Sequence, residues 1–93
     1  MAQAVAEPPQ HLPTEDQIQQ VLCQLAAERA PGATFCPSEA ARLLRPNNWR
    51  PLMEPVRRVG FQLVREGRLR LSQRGRTCHP DEPLKGPIRF SQP

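Results

Sequence analysis

At Gly67 the spacing of apolar residues changes from helical to alternating, and that switch limits what the chain can become. Before it, with 100° per residue and Val56 at zero, Leu52, Met53, Val56, Val59, Gly60, Leu63 and Val64 fall within about 80° of one direction. After it, Leu69 and Leu71 alternate with Arg68, Arg70 and Ser72, the pattern of a half-buried strand. The chain has 93 residues, enough for one small domain and too few for two. Helix and strand must therefore share one core, which predicts an α+β fold.

The rest of the chain supplies the partners that core needs. Residues 1–13 hold three of the 12 prolines and few apolar groups, so they are expected to be a mobile tail. Thr14-Glu15-Asp16-Gln17 matches a capping box with acids in the first turn. Ile18, Val21, Leu22, Leu25 and Ala26 then recur at helical spacing, and Pro31-Gly32 ends that helix near Ala30. Ala33-Thr34-Phe35 suits a brief strand or extended connector. Pro37 fits the first position of a second helix running to about Leu44, with Ala40, Ala41, Leu43 and Leu44 as its buried side.

Pro46 and Asn47-Asn48 make the next turn. Pro51 suits the start of a third helix, but Pro55 lacks an amide. The expectation is an irregular or 3₁₀ first turn, or a kink, followed by regular helix from about Pro55 to Glu66. Gly67 is its left-handed stop. Gln73-Arg74-Gly75-Arg76 reads as a turn, the stretch through Pro80, Pro83 and Gly86 as a long loop, and Pro87-Ile88-Arg89-Phe90 as a second strand. Ile88 and Phe90 would share the inner face with Leu69 and Leu71. Helix, short strand, helix, turn, helix and strand pair is the order of a winged helix-turn-helix domain, here over residues 14–91. A three-helix bundle with a basic tail is the alternative, and the alternation after Gly67 argues against it.

Several of these segments also carry a resemblance. Cys36-Pro37-Ser38-Glu39-Ala40-Ala41-Arg42, then Trp49-Arg50-Pro51-Leu52-Met53 and Val56-Arg57, with Gly75-Arg76 and Gly86-Pro87-Ile88-Arg89 beyond, resemble a family of small, mostly bacterial proteins known as a domain of unknown function. The resemblance covers roughly residues 15–90, and the Trp-Arg-Pro-Leu-Met string is its most specific piece. It implies a winged-helix-like fold. It brings no activity, so no site residue is carried over from it.

Charge gives the functional direction. The net charge of +4 hides an asymmetry: residues 1–41 set one arginine against five acids, a net −4. Residues 42–76 set ten arginines against Glu54 and Glu66, a net +8. Lys85 is the single lysine, so the positive charge is almost wholly arginine, whose planar fork suits phosphate. The face of the third helix opposite its apolar stripe carries Arg50, Glu54, Arg57, Arg58, Phe61, Gln62 and Arg65.

Little else in the chain points to chemistry. There is no Gly-x-Gly-x-x-Gly, Walker loop, Gly-x-Ser-x-Gly or His-Glu-x-x-His, so no enzyme is expected and no cofactor. Cys23, Cys36 and Cys78 lack Cys-x-x-Cys spacing, and with His79 they make a poor zinc set, so no metal site is expected. Their odd number fits reduced thiols. Cys36 stands just before a helix N-terminus, which can favour a thiolate, although packing near the cap is the simpler role. Trp49 reads as a wedge at the turn into the third helix or as a surface that stacks on a ligand, and Phe61 as a residue packed under the hairpin or a C-terminal segment or part of a partner surface. With no long apolar run, neither a membrane span nor a signal-peptide core is expected, which suggests a cytoplasmic protein.

These observations predict a small DNA-binding module of the kind used in transcription regulation. The third helix would lie against a major groove while the hairpin arginines grip phosphate, with Arg50, Arg57, Arg58, Gln62, Arg65, Arg68, Arg70, Arg74 and Arg76 as the binding residues. The alternative is a protein-interaction module that offers the same basic face to an acidic partner. An enzyme with an unrecognised site ranks third. The acidic first segment could also compete internally for the basic surface.

Overall fold

The computed structural model describes residues 12–93. Most of the expected tail therefore lies outside the described residues. The elements are α1 (Glu15–Glu28), α2 (Pro37–Leu44), a 3₁₀ turn (Arg50–Leu52), α3 (Met53–Arg65), β1 (Arg70–Gln73), β2 (Arg76–Cys78) and β3 (Arg89–Ser91). Three helices and a three-stranded antiparallel sheet of order β2-β1-β3 make an α+β, winged-helix-like architecture.

Local chemistry sets the helix ends. At the start of α1 the Thr14 side chain accepts from the Gln17 amide at 3.1 Å, and the Gln17 side chain accepts from the Thr14 amide at 2.8 Å. Two orphan donors of the first turn are thus satisfied. At its other end the Gln92 side chain donates to the carbonyls of Ala26 and Arg29, at 2.9 and 3.1 Å, tying the end of the chain to α1. The end of α3 is a Schellman turn: the Gly67 amide bonds Val64 O at 3.0 Å and the Arg68 amide bonds Leu63 O at 2.8 Å. This geometry needs the left-handed backbone that Gly67 supplies at φ 75°,.

The first turn is 3₁₀, as the prolines suggested, and regular helix begins at Met53, two residues before Pro55. Pro51 sits in the 3₁₀ turn, and Pro55 is the third residue of α3. An amide at that position has no intrahelical acceptor, so its loss costs little and no kink is required.

The core is a single cluster. Ile18, Leu22, Leu25 and Ala26 of α1 meet Ala40 and Ala41 of α2, Val56, Val59 and Leu63 of α3, and the inner face of the sheet. Leu43 is a correction: it is 63% exposed, not part of the buried side of α2. An eight-residue helix built on a narrow Ala40–Ala41 contact turns Leu43 outward, three residues past Ala40, where no neighbouring element covers it.

The sheet also differs from the expected strand pair. β1 pairs with β2 through a tight hairpin and with β3 on its other edge. Arg74 and Gly75 at the hairpin tip both have positive φ, 51° and 80°, as a type I′ turn demands. The three-residue Arg-Thr-Cys strand is too short to display alternation, and Arg-Gly is a weaker turn signal than Asn-Gly. Register places Cys78, Leu71 and Phe90 in one buried row, which an isolated bridge from Phe90 to Phe35 extends. The connector at Phe35 therefore reaches the sheet edge, with its amide donating to Phe90 O at 2.8 Å. Ser72, expected on the solvent side, is only 9% exposed because it lies between Thr77 and Arg89 on the central strand.

Sheet and α3 come together at one close approach. Gly60 faces the end of the Phe90 ring, which is wholly buried and touches Phe35 at 6.0 Å and Phe61 at 6.3 Å between ring centres. Phe61 thus packs toward β3, the C-terminal segment, although its helical position put it among the arginines of the outer face.

Candidate nucleic-acid interface

Helical periodicity buries Val56, Val59, Gly60 and Leu63 and turns the basic side of α3 outward. Glu54, Arg57, Arg58, Phe61 and Arg65 line a shallow depression there. The Phe61 ring forms part of this depression, and the Arg57 guanidinium lies over it, 5.8 Å from the ring centre. Gln62 donates to Glu66 at 3.1 Å along the same helix, so its amide is engaged by its own element.

Three of the remaining arginines meet acids from other elements or loops. Arg58 pairs with Glu15 at the start of α1, at 2.8 Å, and with Glu54 at 3.7 Å. Arg65 pairs with Asp81 at 2.9 Å and Arg76 with Glu82 at 3.1 Å. Asp81 and Glu82 are adjacent, so the short turn after β2 brings the end of α3 and the hairpin together. The Arg65 hydrogen bond holds the Asp81 carboxyl below the usual carboxylate range. The His79 amide, and after it Arg76, does the same for Glu82, while the Arg76 guanidinium is pushed up by that bond. These groups are all solvated, so water screens the pairs and they contribute little to stability.

Other members of the expected set are directed elsewhere. Arg68 turns toward α1, 3.6 Å from Glu66 and 3.7 Å from the Cys23 sulfur, with the Gln19 side-chain oxygen accepting from it when that amide is oriented to do so. Arg70 stands at the start of β1, and register puts it on the sheet face opposite Leu71, whereas Arg76 shares the face of Cys78. Arg74 occupies the exposed hairpin tip. Arg57, Arg58 and Arg65 are thus gathered on α3, with Arg76 joined to them through the Asp81–Glu82 turn. Arg68 is engaged by α1 and Glu66, and Arg70 lies on the sheet face opposite Arg76.

Trp49 packs against the core at the turn before α3, as expected, and two guanidiniums stack on it. The carbons of Arg42 and Arg50 lie 4.5 and 4.6 Å from its ring centre. Sequence reasoning included Arg50 and missed Arg42, because Arg42 belongs to α2 and only the α2–α3 turn brings it to Trp49. The acids Asp81 and Glu82 were missed as elements of the surface for the same reason, whereas Glu15 belongs to the acidic first segment already expected to compete for it. Cys36 precedes α2 with its amide donating to Glu39 at 3.1 Å and its sulfur accepting from Ser38 at 3.2 Å. Glu39, which also pairs with Arg29, therefore supplies the negative charge at that helix end. Among the described residues no three His, Cys, Asp or Glu side chains form a group suited to a metal ion.

Fold and surface together define a small winged-helix-like domain with an arginine-rich third helix. The chain belongs to the family described as "Protein of unknown function (DUF3253)", whose pattern matches residues 15–93. No curated protein matches it. Among the described residues no helix is long and apolar enough to cross a membrane.

Proposed function

We propose that the domain is a binding module for double-stranded DNA, with the outer face of α3 set against the groove and the β1–β2 hairpin against flanking phosphate. The observation that carries this reading is the exposure of the paired arginines. Side chains of Arg58, Arg65 and Arg76 remain 53, 43 and 68% accessible while held only by surface carboxylates. A DNA phosphate can replace such a carboxylate at little cost, since it offers the guanidinium the same bidentate oxygens. Arg57, Arg58 and Arg65 on α3, with Arg76 and Arg74 on the hairpin, supply four to six phosphate contacts. Arg50, Arg68, Arg70 and Gln62 stand around this centre. In a bacterial cell, where DNA lies in the cytoplasm, a DNA partner would put the protein's work there.

The test is anisotropy of a labelled mixed-sequence duplex titrated with protein across a salt series. Micromolar or tighter binding is expected, with log K falling against log salt at a slope of about −4 to −5 for that number of phosphates. A slope near zero refutes the reading. Absence of binding at low salt leaves the same face for an acidic protein, a reading that the Arg57–Phe61 contact would then favour,.

A further inference from the structure

The acids that temper the outer face of α3 do not reach the turn that precedes it. Arg42 is exposed on α2 and Arg50 in the 3₁₀ turn, and among the described residues each has the Trp49 ring and no carboxylate as its partner. Their guanidinium carbons lie 4.5 and 4.6 Å from one ring centre, so they stand no more than 9.1 Å apart. We propose that Arg42, Trp49 and Arg50 form a phosphate clamp for neighbouring phosphates of one strand of duplex DNA, a second contact that rests on the DNA reading above.

Three features argue for this. A guanidinium stacked on an aromatic ring spends its flat face on the ring and keeps its N–H donors free at the edge, where an oxyanion can take two at once. Trp49 is itself fixed: it packs on the core, and its carbonyl accepts from the Leu52 amide at 2.9 Å to open the 3₁₀ turn. Two long side chains are thereby held in place before any partner arrives, which lowers the ordering cost of binding. The indole surface is already covered by guanidinium, so it offers no open platform for an unpaired base. That favours the phosphates of a duplex over single-stranded bases. The clamp also lies at the α2–α3 turn, beside the helix that would enter the groove, where backbone contacts fix the register of a bound helix.

The experiment is the same salt series, applied to Arg42→Gln with Arg50→Gln and to Arg42→Lys with Arg50→Lys. Glutamine keeps an aliphatic stem on the indole and removes the charge, and circular dichroism checks that both pairs melt as the parent does. If two phosphates are held here, the glutamine pair loses about 1.8 from the magnitude of the salt slope, and the lysine pair, which keeps the charge, stays near the parent. Affinity for the glutamine pair should fall on every sequence alike. Parent binding with an unchanged slope in the glutamine pair overturns the clamp and leaves the DNA reading standing. An equal loss of slope in the lysine pair also overturns it, since charge would not be the cause. Failure of the parent to bind duplex at low salt overturns both.

Discussion

Replacing Gly60 with alanine tests the contact that sets the distance between α3 and the sheet. A Cβ at this position would stand 2.3 Å from the Phe90 Cζ, 2.6 Å from Cε2 and 3.1 Å from Cε1. The ring cannot swing away easily, because it is wholly buried, lies against Phe35 and Phe61, and stands on a strand pinned on both sides. Elsewhere in a helix the same change would stabilise by about 0.8–1.0 kcal/mol. Overpacking in a close-packed core costs about 1–3 kcal/mol, and a carbon contact this short belongs in the upper part of that range. The expected outcome is a net loss of about 1–2 kcal/mol, which for a domain of this size lowers Tm by about 4–16 °C. Thermal melting by circular dichroism measures it, and Phe90→Leu in the Gly60→Ala background should recover part of the loss, showing coupling of the two sites. A Gly60→Ala protein that melts at or above the parent temperature would refute the close approach.

Other perturbations address the charged surface and the hairpin. Glu15→Gln frees Arg58 from its nearest acid, so duplex DNA binding should tighten by up to about fivefold, the scale of an exposed ion pair; unchanged affinity in the anisotropy assay would show that α1 does not compete for the basic face. Asp81 and Glu82 have carboxyls held below their ordinary range in the folded state. Their contribution to stability is therefore full at neutral pH and disappears as pH falls through and below that range. Melts from neutral pH downward should show a shallower acid limb for Asp81→Asn with Glu82→Gln than for the parent. Gly75→Ala forces a side chain into the left-handed backbone at φ 80°, which should cost about 1–2 kcal/mol and be visible as a lower urea midpoint. Arg57→Glu with Arg58→Glu should weaken DNA binding on every sequence in the anisotropy assay, and loss of a protein partner with DNA binding unchanged would favour the interaction module instead.

Elements governed by neighbours in sequence were legible before the fold was known. The Thr14 capping box, the buried face of α3 and the stop at Gly67 all follow from residues within four positions of one another, and each appears in the structure. The inner row of Leu71 and Phe90 was legible too, through alternation. What escaped depended on distant partners. β2 is a strand because β1 offers it an edge, not because Arg-Thr-Cys declares itself. Leu43 is exposed because no element happens to cover it, a fact that its helical position could not reveal.

The same division runs through the candidate interface and changes its electrostatics. Ten arginines against two acids made residues 42–76 look uniformly basic, but three further acids from outside that window pair with its arginines. Glu15 comes from 43 residues before Arg58, Asp81 from 16 beyond Arg65 and Glu82 from six beyond Arg76. Pairing with them leaves the outer face of α3 weaker in potential than its own sequence implies, since each nearby carboxylate offsets part of one guanidinium's field. Arg42 and Arg50 escape this compensation because their packing partner is an indole, which holds a cation without neutralising it,. An approaching polyanion should then meet uncompensated charge at the turn between α2 and α3, and displace the Glu15, Asp81 and Glu82 contacts only as α3 closes on it.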